Sequence, residues 1–315
     1  MELVVSILLL ILGFVLLMKG ADYFVDGSSK IAIKMHVPEI VVGLTIVAMG
    51  TSAPEAAISI TAALNDNAGI SIGNVIGSNI MNIALILGLS AVIAKLPIKK
   101  NTLKKEIPFV IVITAVLCAM GAFFKEINRV GALVLIVLFI CFLLYLFWLS
   151  KHGEDSVEEV EELTEKDTYL RLILITIGGM AAIVIGSDIT VDAATAIAKI
   201  FGLSDRIIGL TIIAFGTSLP ELVTSVTAAR KGKTDIAIGN IVGSNIFNIL
   251  FVLGISGLVS PSAIPFNSAF LFDGMIAIIV ALMLFILSYK NKALTKVGGI
   301  IFLVSYFAYL VYLLV

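Results

Sequence analysis

The sequence predicts an all-α membrane protein of ten transmembrane helices arranged as two inverted five-helix repeats. Three observations carry that reading. Apolar residues make up 60% of the chain against 14% charged, apolar stretches of spanning length follow one another almost end to end, and the first half of the sequence recurs in the second. A mean hydropathy of +1.14 over 315 residues exceeds what one soluble core of that length hides, so lipid is the expected solvent for most side chains. No room remains for a separate soluble domain, and no enzymatic activity is expected.

A helix crosses the hydrocarbon with about 20 apolar residues. Such segments lie near 3–25, 39–64, 70–94, 106–124, 129–150, 169–198, 206–229, 236–259, 268–288 and 295–314. The first follows Glu2 rather than a basic stretch and lacks a small-residue cleavage site, so it reads as a retained span and not a signal peptide. Cys118 and Cys141 lie inside apolar runs and read as small buried hydrophobes, with no disulfide or thiolate site expected.

The connections are short except at 151–168, where Glu154, Asp155, Glu158, Glu159, Glu161, Glu162, Glu165 and Asp167 form an acidic run. It lacks the spaced Asp, Gly and Glu of an EF-hand loop and reads as a solvated linker. It separates a first repeat, 1–150, from a second, 169–315. Lys and Arg are retained on the cytoplasmic side during insertion. With the N-terminus outside, seventeen of the basic residues fall in inner loops and four, Lys125, Arg129, Lys199 and Arg206, in outer ones. Both termini are therefore expected outside and the linker in the cytoplasm.

The repeat has a fixed offset of 166 residues: GLTIVAMGTSAPE at 43–55 matches GLTIIAFGTSLPE at 209–221, and IGNVIGSNIMNI at 72–83 matches IGNIVGSNIFNI at 238–249. Asp22 and Asp26 map onto Asp188 and Asp192, and read as solvated helix ends. Five helices per copy is an odd number, so the second copy inserts upside down. Transporters built this way place their sites near the midplane, where the repeats meet.

Glu55 and Glu221 each fall about halfway along an apolar span, where an ionised side chain is costly and no Lys or Arg lies at the same depth. A bound cation is the remaining partner. Thr51, Ser52 and Glu55, repeated as Thr217, Ser218 and Glu221, bring oxygen to the same helical region. Pro54 and Pro220 lack an amide hydrogen, which frees carbonyls of Ala48, Gly50, Ala214 and Gly216 nearby. Spans three and eight add Ser78 and Asn82, with Ser244 and Asn248, as further candidate ligands; Asn74, Asn79, Asn240 and Asn245 read as interhelical packing. An all-oxygen set without Cys or His suits hard ions, above all Ca2+ with its 6–8 flexible oxygen ligands, and also accepts Na+.

Those duplicated segments, GTSAPE with GTSLPE and GSNIMNI with GSNIFNI, resemble the two alpha repeats of the sodium/calcium exchanger family within the calcium/cation antiporter superfamily. The length and midpoint linker resemble its ten-helix prokaryotic members. The resemblance implies an ion-site cluster of Thr51, Ser52, Glu55, Ser78, Asn82, Thr217, Ser218, Glu221, Ser244 and Asn248 with the carbonyls of Ala48 and Ala214, and spans one and six sliding across that core. Two departures stand out: Ala53 where the second copy has Leu219, and Asn248 where family members also use Asp, which removes a third carboxylate and puts potassium dependence in doubt.

The functional expectation is Ca2+/Na+ antiport by alternating access, with Ca2+/H+ antiport and a passive cation channel as alternatives. The proton-coupled branch is expected to carry Asn where Thr51 and Thr217 stand. Expected partners are Ca2+, Na+ and the lipid bilayer; no cofactor and no nucleic acid are implied, a monomer is the expected state, and the expected location is a prokaryotic plasma (inner) membrane.

Overall fold

In the computed structural model, residues 2–152, 163–164, 167–202 and 214–314 are described. In lipid every backbone N–H and C=O must be satisfied within the chain, and helices are the local solution for such apolar segments. The helices are α1 (Glu2–Met35), α2 (Glu39–Thr51), α3 (Ala53–Leu64), α4 (Gly69–Ile93), α5 (Thr102–Phe124), α6 (Arg129–His152), α7 (Tyr169–Ile200), α8 (Leu219–Arg230), α9 (Thr234–Val259), α10 (Ser268–Tyr289) and α11 (Lys296–Leu314). Among the described residues eight single helices are long and apolar enough to cross a membrane, and α2 with α3 forms a ninth candidate span bent by 52°. The first part of the expected seventh span, 206–213, lies outside the described residues; its remainder is a turn at Ala214–Gly216 followed by α8.

Two helices form the centre. In α9 94% of the apolar spanning stretch is buried and in α4 72%, against 17–39% in the other single spans. The helices α1 and α7 are both longer than expected at 34 and 32 residues. They run antiparallel along a seam of small residues: a Cβ at Gly179 would lie 2.6 Å from the Phe24 amide nitrogen and 2.8 Å from the Gly20 carbonyl oxygen, and one at Gly186 would lie 2.9 Å from the Gly13 carbonyl. Only glycine admits backbones this close. Leu8, Ile11, Leu12, Leu170, Leu174 and Ile177 on the same helices are exposed, as lipid-facing residues are.

Two short antiparallel ribbons tie loops together: β1 (Leu96–Pro97) pairs with β4 (Ala293–Leu294), and β2 (Glu126–Ile127) with β3 (Ile264–Pro265). Each joins loops that the charge count places on the same side. The β1–β4 end also holds Lys99–Asp235 at 2.9 Å, Lys30–Asp167 at 3.2 Å, and Lys231 bonded to Asp22 at 3.2 Å and Asp26 at 2.8 Å. At the β2–β3 end the Ser262 hydroxyl donates to Asp66 at 2.6 Å.

Three sequence readings are corrected. Asp22 and Asp26 are not merely solvated, because Lys231 at the end of α8 bridges both. Cys118 is buried, but Cys141 is exposed on the outside of α6. Of the acidic run, residues 153–162 and 165–166 lie outside the described residues; Asp167 is bound, accepting from the Thr164 amide and hydroxyl and pairing with Lys30.

Candidate functional site

The site begins with two helix breaks. Ser52 sits between α2 and α3 at φ −84°, ψ 9°, and Ser218 sits before α8 at φ −95°, ψ 6°, both outside helical geometry. Pro54 and Pro220 stand in the first two positions of the helices that follow, where a missing amide hydrogen costs nothing. Glu55 and Glu221 therefore fall in the first turns of α3 and α8, next to positive helix ends that favour a carboxylate. The helices break before the two prolines as expected, but the Ala48 carbonyl, expected to be freed, still accepts from the Ser52 amide at 3.0 Å.

The central helices carry a matching irregularity. A π-helical stretch starts at Asn82 in α4 and another at Asn248 in α9, the same position in each repeat. Such wide turns recur at functional sites because they re-aim side chains. Around them the two repeats interlock. The Ser52 hydroxyl donates to Glu221 Oε1 at 2.7 Å and the Ser218 hydroxyl to Glu55 Oε1 at 3.2 Å. The Thr51 hydroxyl donates to Asn240 Oδ1 at 3.0 Å and also approaches the Ala48 carbonyl, which the Ser244 hydroxyl meets at 3.4 Å. Asn74 Nδ2 donates to Ser59 Oγ and the Glu55 carbonyl, and Asn240 Nδ2 to Ser225 Oγ and the Glu221 carbonyl.

Glu55 is 1% and Glu221 0% exposed. Thr51, Ser52, Ser78, Asn82, Ser218, Ser244, Asn248 and Ala48 are buried with them. Thr217 is half-buried, and Ala214 opens the short turn before it. Glu55 Oε2, Glu221 Oε2, Asn82 Oδ1 and Asn248 Oδ1 are all buried without a hydrogen-bond partner. All four are acceptors. Leaving a buried acceptor unsatisfied costs about 1–3 kcal/mol, and a cation satisfies several at once. Among the described residues no three His, Cys, Asp or Glu side chains gather, so an ion here would rely on two carboxylates and neutral oxygens.

Other residues acquire roles the sequence reading did not give them. Asn79 and Asn245, read as packing, bond Asn248 and Asn82 directly. The Gly216 carbonyl, expected to be free, accepts from the Ser187 hydroxyl of α7 at 2.9 Å. No motif marks Ser187, since the first copy has Ala21 in its place. A Cβ at Gly239 or Gly243 would meet the backbone of Gly43 or Leu44 within 3 Å, so α9 packs directly on α2.

The sodium/calcium exchanger protein family matches this chain at residues 5–148 and 171–315. The sodium/calcium exchanger MaX1 of Methanosarcina acetivorans is 36% identical over 98% of both chains, and the inner membrane protein YrbG of Escherichia coli 32% identical over 90% of this chain and 89% of its own. The solved structure of the sodium-calcium exchanger NCX_Mj, soaked with zero Na+ and Ca2+, superimposes with a TM-score of 0.86 at 34% identity, covering 99% of each chain. With a matching family over both halves and the same fold from end to end, the chain belongs to the sodium/calcium exchanger protein family and is an integral membrane protein.

Proposed function

We propose that the protein exchanges Ca2+ for Na+ across the membrane by alternating access, with Glu55 and Glu221 as ligands shared by both ions. The observation that carries this is the pair of buried carboxylates, each with one unpartnered oxygen, beside two unpartnered amide oxygens. Thr51, Ser52, Ser78, Asn82, Thr217, Ser218, Ser244, Asn248 and the carbonyls of Ala48 and Ala214 complete the shell. The shell holds only oxygen, as Ca2+ and Na+ prefer. The similarity to MaX1 and NCX_Mj, both sodium/calcium exchangers, supports those two ions.

Coupling follows from charge. Carrying two bare carboxylates past a low-dielectric barrier costs several kcal/mol per ion, so the empty site stays where it is. One Ca2+ or at least two Na+ balance Glu55 and Glu221 and release it, which yields exchange instead of a leak. The chain then consists of two inverted five-helix repeats, 1–150 and 169–315, with 206–229 as the seventh of ten spans and the acidic linker between them. The lysine-rich end faces the cytoplasm, and both termini face outward from a prokaryotic inner membrane. Lipid is the surrounding partner, and a monomer is sufficient because both glutamates belong to one chain.

The test is radioactive Ca2+ uptake by sodium-loaded proteoliposomes diluted into sodium-free buffer, with Glu55→Ala and Glu221→Ala alongside. Uptake that needs internal Na+ and is lost in both variants is expected. Uptake driven by a proton gradient alone would replace Na+ by H+ as the counter-ion, and uptake with no counter-ion would overturn the coupling.

A further inference from the structure

Four asparagines link the centres of α4 and α9. Asn79 Nδ2 donates to the Asn245 main-chain carbonyl at 3.1 Å, and Asn245 Nδ2 to the Asn79 carbonyl at 3.2 Å. A main-chain carbonyl only accepts, so these two contacts decide which end of each amide is nitrogen. The oxygens of Asn79 and Asn245 must then point the other way. There Asn245 Oδ1 meets Asn82 Nδ2 at 3.0 Å, and Asn79 Oδ1 meets Asn248 Nδ2 at 3.2 Å. Two backbone carbonyls thereby fix all four amides, and what remains of Asn82 and Asn248 is Oδ1, buried and unpartnered.

An amide has one oxygen face and one NH2 face of nearly the same shape. At a cation cavity the difference is decisive, because a flip replaces a ligand with a repelling donor. A carboxylate has no such problem, since either face is oxygen. This chain uses Asn at both positions and so needs the orientation held.

We propose that Asn79 and Asn245 are positioning residues that hold Asn248 and Asn82, across the repeat boundary, with their carbonyl oxygens toward the cation cavity. The proposal rests on the reading of that cavity as a Ca2+ site. It also sets a specificity: two neutral amide oxygens at this level leave the charge of the site to Glu55 and Glu221 alone. The lock crosses between repeats, so α4 and α9 must keep their register while ions bind.

The crossing makes the test selective. The readouts are the half-saturating Ca2+ concentration for thermal stabilisation of the purified full chain and the KM and maximal rate of Ca2+ uptake in proteoliposomes. Asn245→Leu frees the Asn82 amide and is expected to raise half-saturating Ca2+ about tenfold. Adding Asn82→Asp, which offers oxygen in either orientation, should restore affinity to within about threefold of the wild type; adding Asn248→Asp instead should not. The mirror set is Asn79→Leu, rescued by Asn248→Asp and not by Asn82→Asp. If a leucine variant does not fold, Asn245→Ala and Asn79→Ala carry the same comparison without added bulk. Equal rescue by either aspartate would reduce the effect to charge and overturn the lock; no loss in the single variants, or no rescue by either aspartate, would overturn it too. A wild-type protein that binds no Ca2+ removes the cation site and the lock together. Ca2+ binding without the crossed pattern removes the lock alone.

Discussion

At the cavity the two repeats are near copies, and at the ends of the bundle they are not. Ser52 with Glu221 mirrors Ser218 with Glu55, Asn74 with Ser59 mirrors Asn240 with Ser225, and the four asparagines close on themselves. At one end of the bundle, by contrast, Lys231 bridges Asp22 and Asp26, and Lys99 pairs with Asp235. The positions 166 residues away are Asn65 for Lys231, Gly69 for Asp235 and Pro265 for Lys99, none able to carry those pairs, although Asp188 and Asp192 are retained. The duplication has been kept around Glu55 and Glu221 and lost in the ion pairs at the lysine-rich end.

The largest expected effect tests the symmetric half of that comparison. Glu55→Gln and Glu221→Gln each remove a buried charge from the same shell, a loss of about 3–5 kcal/mol or roughly 100-fold and more in Ca2+ affinity. The two variants should be equally impaired in Ca2+ binding by calorimetry. If one were tolerated, the cavity would be functionally lopsided despite its geometry. Next in size is the α1–α7 seam. Gly179→Val pushes a side chain into the Phe24 and Gly20 backbone, and overpacking of this kind costs about 1–3 kcal/mol. The melting temperature should fall, while Gly178→Val, with no described neighbour within 4 Å of its Cβ position, should leave it unchanged.

The asymmetric half predicts a smaller effect. Asp22 and Asp26 are about 40% exposed on their side chains, so their bridges to Lys231 are screened and together supply about 1 kcal/mol, or roughly a fivefold shift in population. Lys231→Met should speed hydrogen exchange in α1 peptides around 22–34 and leave α7 peptides around 188–200 unaffected. Unchanged exchange at 22–34 in Lys231→Met would mean that these bridges do not hold that end together. High salt should reproduce the Lys231→Met result in the wild type.

Much of this architecture was legible because lipid and duplication both leave strong marks. Apolar length gave the spans, and Pro54 and Pro220 announced the breaks that put Glu55 and Glu221 in first turns. What stayed hidden depended on pairings between distant segments. Asn79 and Asn245 look like packing until the opposing carbonyls are in place. Lys231 lies in a loop whose counterpart is Asn65, so the repeat gave no signal for it. Ser187 is likewise masked by Ala21 in the first copy. The length of α1 beyond residue 25 is hidden in the sequence because those turns carry Asp26, Lys30 and Lys34, whose partners at Lys231 and Asp167 stabilise a polar helix end.

The smallest effect concerns pH and separates the two kinds of tie at the lysine-rich end. Hydrogen bonds from the Thr164 amide and hydroxyl, followed by Lys30, hold the Asp167 carboxyl down at about 2. A depressed carboxylate stabilises the folded state fully above its ordinary value near 4 and loses that contribution only as pH falls through about 2. Burial works against the charge on Lys231, but Asp26 and Asp22 outweigh it and raise its pKa above the ordinary 10.5. That contribution is complete below 10.5 and fades only at more alkaline pH. Between pH 4 and 10, after correction for intrinsic exchange, protection of α1 residues 22–34 should therefore be flat. Asp167→Asn should lower it near residue 30 by the same small factor at every pH in that range, since the lost partner is not one that titrates there. A protection step near pH 6 or 7 in the wild type would mean that a group other than these ion pairs governs that end of the bundle.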